Sequence, residues 1–137
     1  MAKNKITSGF TVENIPLESE EQQMVVAWFR KCARSFGLDP NLLLHPANEG
    51  KRTGRTAHTL AKMGLVAGTP DLFLAVPRKG FGGLWIEMKR VKKARVSEAQ
   101  NAMLDLLDKA GYATAVCFGS AAAVKEITQY LSLPAPT

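Results

Sequence analysis

Cysteine and histidine are scarce in this chain, two of each. Cys32 falls in an apolar stretch of helical spacing and Cys117 in an apolar strand-like run. Both therefore read as buried reduced thiols rather than a disulfide or a metal pair. His45 and His58 have no cysteine or histidine at zinc-ligand spacing, which excludes a zinc centre of the usual kind. No run approaches the ~20 apolar residues of a membrane span. The opening MAKNKITSGF carries charge but no apolar core of a secretory signal. A cytoplasmic protein with no membrane association is the expectation. Internal repeats and low-complexity segments are also missing.

Acid is scarce over one interval in particular. Between Lys51 and Arg95 lie eleven of the 18 basic residues and only two of the 12 acids, Asp71 and Glu87. A solvated basic face is the simpler reading for any one of these cations. Together they form a footprint for a polyanion, with Lys51, Arg52, Arg55, Arg78, Lys79, Arg90, Lys92 and Lys93 as the candidate contacts.

What remains is ordinary for a globular domain: 46% hydrophobic and 22% charged residues in 137. One domain is expected at this length. Residues 1–17 show no sustained period and read as an arm, residues 18–131 as the folded unit, and residues 132–137 as a tail with two prolines. Ser19, with Gln22 three residues on, predicts a helix start. Glu21, Met24, Val25, Trp28, Phe29, Cys32 and Phe36 recur at helical spacing until Gly37 and Pro40. Leu42 to His45 is a short apolar run suited to a strand and closed by Pro46. His45 reads as a core residue, with a general base as the alternative. A short helix from Arg55 to Met63 stops at Gly64.

Two apolar runs follow, Asp71–Val76 and Leu84–Lys89, joined by the Gly-, Pro- and charge-rich Pro77–Gly83, and they predict a hairpin. Its loop is either a grip on nucleic acid, with Phe81 as a stacking surface, or simply a long turn. Ser97 caps a second helix that ends at Gly111, Tyr112–Phe118 is a strand, and Ala121–Leu131 a closing helix. Strand–helix–strand from Leu84 to Phe118 predicts a right-handed parallel crossover. The fold class is therefore α/β, a mixed central sheet flanked by helices.

Side chains alternate across a strand, so Glu87 and Lys89 share one face while Leu84, Ile86 and Met88 share the other. Pairing of the strands brings Asp71 beside them. Two carboxylates in close company repel and call for a cation, and hard divalent ions such as Mg²⁺ take oxygen ligands. The main-chain carbonyl of Met88 lies between the two polar side chains and is a further candidate ligand. A neighbouring lysine suits a metal-activated water or charge building on a phosphate. This set of parts fits phosphodiester hydrolysis. A structural salt bridge from Lys89 to either acid is the plainer alternative.

Pro70-Asp71 followed by Glu87-Met88-Lys89 resembles the signature of the PD-(D/E)xK nuclease superfamily. The wider text is similar to the VRR-NUC (virus-type replication-repair nuclease) domain: Asn48-Glu49-Gly50-Lys51-Arg52, Met63 to Leu72, Gly83 to Lys89, and Ser97-Glu98-Ala99-Gln100. The resemblance runs from about Glu18 to Leu131. It implies a restriction-endonuclease-like core, a Mg²⁺ or Mn²⁺ cofactor, and Asp71, Glu87, Lys89 and Gln100 as catalytic residues. It also implies a glutamate from the first helix as metal ligand, Glu21 by position, with Glu20 and Glu18 behind it. Gln100 is a motif residue of that family, yet Ser97-x-x-Gln100 equally has capping-box spacing. Asn48 is either a substrate contact or part of a turn that Gly50 completes. Small stand-alone members, mostly from phages and bacteria, look like homodimeric Holliday-junction resolvases. A flap- or nick-directed nuclease and a non-catalytic basic DNA-binding module are the alternatives, and the module would have no use for Asp71 and Glu87.

Overall fold

The computed structural model of the chain describes residues 15–46, 54–91 and 94–137. Asn48, Glu49, Lys51, Arg52, Lys92 and Lys93 lie outside these residues, as does the side chain of Arg55. Eight principal elements follow in order: α1 (Glu18–Cys32), β1 (Leu43–Leu44), α2 (Gly54–Lys62), β2 (Leu72–Leu74), β3 (Leu84–Lys89), α3 (Glu98–Lys109), β4 (Ala113–Phe118) and α4 (Ser120–Leu131). They match the expected sequence of elements. The strands at Leu42–His45 and Asp71–Val76 are shorter than their apolar runs, because pairing with a neighbour covers only Leu43–Leu44 and Leu72–Leu74.

Helix α1 begins two residues earlier than the Ser19 cap predicts, with Leu17 at the N-cap. The Leu17 N–H donates to Glu20 Oε1 at 2.9 Å, so Glu20 and not Gln22 satisfies an open donor at this end. Along α1, Val25 and Phe29 recur every fourth residue and are wholly buried. Ala33 continues their stripe into a 3₁₀ turn, Ala33–Phe36.

The sheet has the order β1-β2-β3-β4, antiparallel except for the parallel β3–β4 pair reached through α3. One face is apolar: Leu72, Leu74, Leu84, Ile86 and Met88 are almost fully buried with Val25, Phe29 and Ile127 of α1 and α4. Each such side chain contributes about 1.5–3 kcal/mol of transfer free energy. Burial of that face fixes the register, since a one-residue slip would exchange it for the polar one. On the opposite face Phe73 stacks on Trp85 with centroids 4.4 Å apart, and Tyr112 meets both edge-on. Glu87 and Lys89 follow Trp85 on this same face.

Candidate active site

Register brings the acids together. Leu72 pairs with Ile86, so Asp71, one residue before β2, stands opposite Glu87. Asp71 Oδ2 accepts the Met88 N–H at 2.7 Å. Glu87 is 2% exposed and Lys89 6% exposed, which few charged residues are without a purpose. Lys89 Nζ lies 3.8 Å from Glu87 Oε2. Gln100 of α3 joins them: its Nε2 donates to Glu87 Oε2 at 2.8 Å, and its Oε1 accepts from Lys89 Nζ at 3.0 Å.

Both readings of Gln100 hold at once. The same Oε1 accepts the Ser97 N–H at 2.9 Å, and Ser97 Oγ accepts the Gln100 N–H at 3.1 Å. The cap fixes the amide's rotamer, and the fixed amide orients Lys89 against Glu87. Gly68 lets α3 come this close. A Cβ there would lie 2.3 Å from the Ala99 carbonyl oxygen, and the backbone has φ +85°.

The electrostatics are unbalanced. Burial, then the negative charge of Asp71, pushes the Glu87 carboxyl from 4.5 up to about 8 against the opposing pull of Lys89, with Glu18 adding to the rise. Among the described residues no donor reaches the buried Glu87 Oε1, and the Asp71 carboxylate bonds to Glu87 only by sharing a proton. A buried acceptor left open costs about 1–3 kcal/mol unless something fills the role.

Backbone register adds one more oxygen. The Lys89 carbonyl accepts from Gly119 across β4, so the Met88 carbonyl points the other way, towards β2. Extended by two positions, the β2–β3 register places Pro70 opposite Met88. Proline has no N–H to give, so the ladder offers the Met88 carbonyl no donor from that position. Two carboxylates, one with a single oxygen unpartnered among the described residues, and a carbonyl to which the ladder offers no donor make a hard oxygen donor set that fits Mg²⁺ or Mn²⁺. Among the described residues no three of His, Cys, Asp and Glu converge as a metal-ligating group. The backbone oxygen therefore has to count.

The three acids of the first helix turn separate by partner. Glu20 caps α1. Glu21, 4% exposed, accepts the Ser120 N–H at 2.8 Å and so serves the start of α4. Only Glu18 acts on Glu87, and the described residues do not engage its carboxylate.

Two of the expected DNA contacts, Arg78 and Arg90, also make side-chain hydrogen bonds within the fold. Arg90 donates from Nη2 to the Ile15 carbonyl at 2.8 Å and from Nε to that of Pro16 at 3.2 Å, tying β3 to the approach of α1. Arg78 donates to the Leu131 carbonyl at 3.4 Å, at the end of α4. Its loop closes through an Arg78–Phe81 bridge, and the Lys79 N–H donates to Pro134. The loop leaves the end of the hairpin opposite Asp71, because antiparallel pairing puts the start of β2 beside the end of β3. Six residues of β3 at about 3.3 Å each separate Lys79 and Phe81 from Lys89 by roughly 15 Å or more. His45 is exposed rather than in the core, and its Nδ1 lies 2.6 Å from the Asp71 carbonyl oxygen.

Comparison with known proteins identifies the family and the fold. No curated protein matches the chain. A solved structure described as a VRR-NUC domain protein superposes with a TM-score of 0.77 at 27% identity, over 89% of this chain and 93% of that one. The VRR-NUC domain pattern matches residues 17–121, well over half the chain. The protein thus belongs to the VRR-NUC family, nucleases of the PD-(D/E)xK type.

Proposed function

We propose that the protein is a divalent-metal-dependent, structure-specific DNA endonuclease. The observation that carries this reading is Glu87: a buried carboxylate facing Asp71, with one oxygen unpartnered among the described residues and its pKa raised to about 8. Asp71, Glu87 and the Met88 carbonyl would hold Mg²⁺ or Mn²⁺, and Glu18 rather than Glu21 is the helix carboxylate whose charge reaches Glu87. The bound ion supplies Lewis-acid polarisation of the scissile phosphate and lowers the pKa of a bound water. Lys89 orients the attacking water and neutralises charge that develops on the phosphate. Gln100 keeps the Lys89 ammonium from swinging towards solvent.

Holliday-junction resolution by a homodimer is the substrate reading the family resemblance supports, since two sites facing opposite strands suit a symmetric four-way junction. Labelled four-way junction, flap and linear duplex, incubated with and without Mg²⁺ or Mn²⁺, test it. Metal-dependent cleavage preferring the junction is the expected result. Preference for the flap would redirect the substrate, and no cleavage of any DNA would end the proposal. Glu18→Ala reduces this activity on the order of tenfold or more, whereas Glu21→Ala acts chiefly by lowering thermal stability. The reverse pattern would restore Glu21 as the ligand.

Proton and metal compete for Glu87. In the metal-free protein the folded state holds this proton more tightly than the unfolded chain does. The group's stabilising contribution is therefore complete below 4.5 and is lost as pH rises through about 8. Ionisation is what the metal needs, so Mn²⁺ affinity rises with pH, roughly tenfold per unit below pH 8 for one displaced proton. Calorimetry at several pH values, in buffers of different ionisation enthalpy, measures both the affinity and the proton release. A pH-independent affinity would contradict Glu87 as a ligand.

A further inference from the structure

The β1–β2 ladder has a gap where the candidate site begins. Leu44 pairs with Phe73, Leu43 with Leu74, and the Ala75 N–H donates to the Leu42 carbonyl. Bonds of an antiparallel ladder recur at every second pair. Leu42–Ala75 and Leu44–Phe73 are thus hydrogen-bonded pairs, and the next in register is residue 46 with residue 71. Residue 46 is a proline and cannot donate. The Asp71 carbonyl, which the ladder would have tied down, receives the His45 imidazole instead at 2.6 Å. A carbonyl oxygen only accepts, so Nδ1 carries the hydrogen.

We propose that His45 is a positioning residue: its imidazole replaces the ladder hydrogen bond that Pro46 cannot make, and so holds Asp71 opposite Glu87. Asp71 lies just outside β2, where no strand pairing restrains it. Its main chain is anchored by His45 on one side, and its side chain by the Met88 N–H on the other. Rotation of that peptide would carry the carboxylate away from Glu87. The side-chain bond also lets the chain turn away at Pro46 without freeing Asp71, which an ordinary ladder bond would not. This inference rests on the metal-nuclease reading above.

The test uses the full-length protein with Mn²⁺ affinity by calorimetry and cleavage of whichever DNA the wild type cuts. His45→Ala lowers kcat roughly tenfold, the scale of one lost hydrogen bond, and weakens Mn²⁺ binding, with KM for DNA within about a factor of two. His45→Asn recovers most of the loss, because its amide N–H reaches the place of Nδ1–H. Most tellingly, Pro46→Ala restores the missing ladder donor, so the double variant His45→Ala/Pro46→Ala recovers activity while His45→Ala alone does not. Should His45→Ala not fold, the asparagine and double variants carry the test. Unchanged kcat and Mn²⁺ affinity in His45→Ala, or no recovery in either rescue variant, overturns the proposal while leaving the nuclease reading intact. A wild type that takes up no Mn²⁺ overturns both.

Discussion

Lys89→Ala and Asp71→Ala each lower the cleavage rate on the order of a thousandfold, while DNA affinity measured in Ca²⁺ stays within a few-fold of wild type. The two substitutions remove different things. Lys89 Nζ is held by Gln100 and lies 3.8 Å from Glu87, in a position 6% exposed. An ammonium fixed this way costs no reorganisation when charge builds on a phosphate, which is the condition under which such a group matters most. Asp71 instead holds one half of the cation site and accepts the Met88 N–H, so Asp71→Ala also abolishes Mn²⁺ uptake in calorimetry. Lys89→Ala leaves that uptake in place. Single-turnover rates and binding isotherms on the same DNA separate the effects. Cleavage at the wild-type rate in either variant would defeat the assignment of both residues.

Gly68→Ala is expected to lower the melting temperature on the order of 10 °C and to reduce activity with it. The added Cβ would meet the Ala99 carbonyl oxygen at 2.3 Å and the Gln100 nitrogen at 2.9 Å, and both are backbone atoms that cannot rotate aside. The first turn of α3 has to retreat, taking Gln100 away from Lys89 and Glu87. Gly64 is the control. It has φ +108°, and a Cβ added there would meet nothing within 4 Å, so Gly64→Ala carries only the conformational penalty of about 1–2 kcal/mol. Equal losses in the two variants, by calorimetric melting and by rate, would show that the approach of α3 is not what Gly68 secures.

Much of the site was legible because strand alternation and spacing are local rules. Glu87 and Lys89 two apart, with Pro70-Asp71 upstream, led directly to a buried cluster on one face. Charge alone said less about the basic residues. Arg78 and Arg90 donate to the carbonyls of Leu131, Ile15 and Pro16, and sequence carries no mark of which arginine finds a carbonyl. Among Glu18, Glu20 and Glu21 the spacing favoured Glu21. The partner that claims it, the Ser120 N–H, is 99 residues away. His45 carries a fainter local signal: a histidine beside a proline at a strand's end, where a missing N–H invites a side-chain donor.

By itself, then, the amino-acid order determined the elements, the buried face of the hairpin and the pairing of acid with acid. Each of these follows from periodicity and proline or glycine punctuation within a few residues. Tertiary structure alone decided which oxygens remain unspent. That depends on donors brought in from α1, α3, α4 and the β1 edge, and a hydrogen-bond partner is chosen by distance in space rather than by distance along the chain.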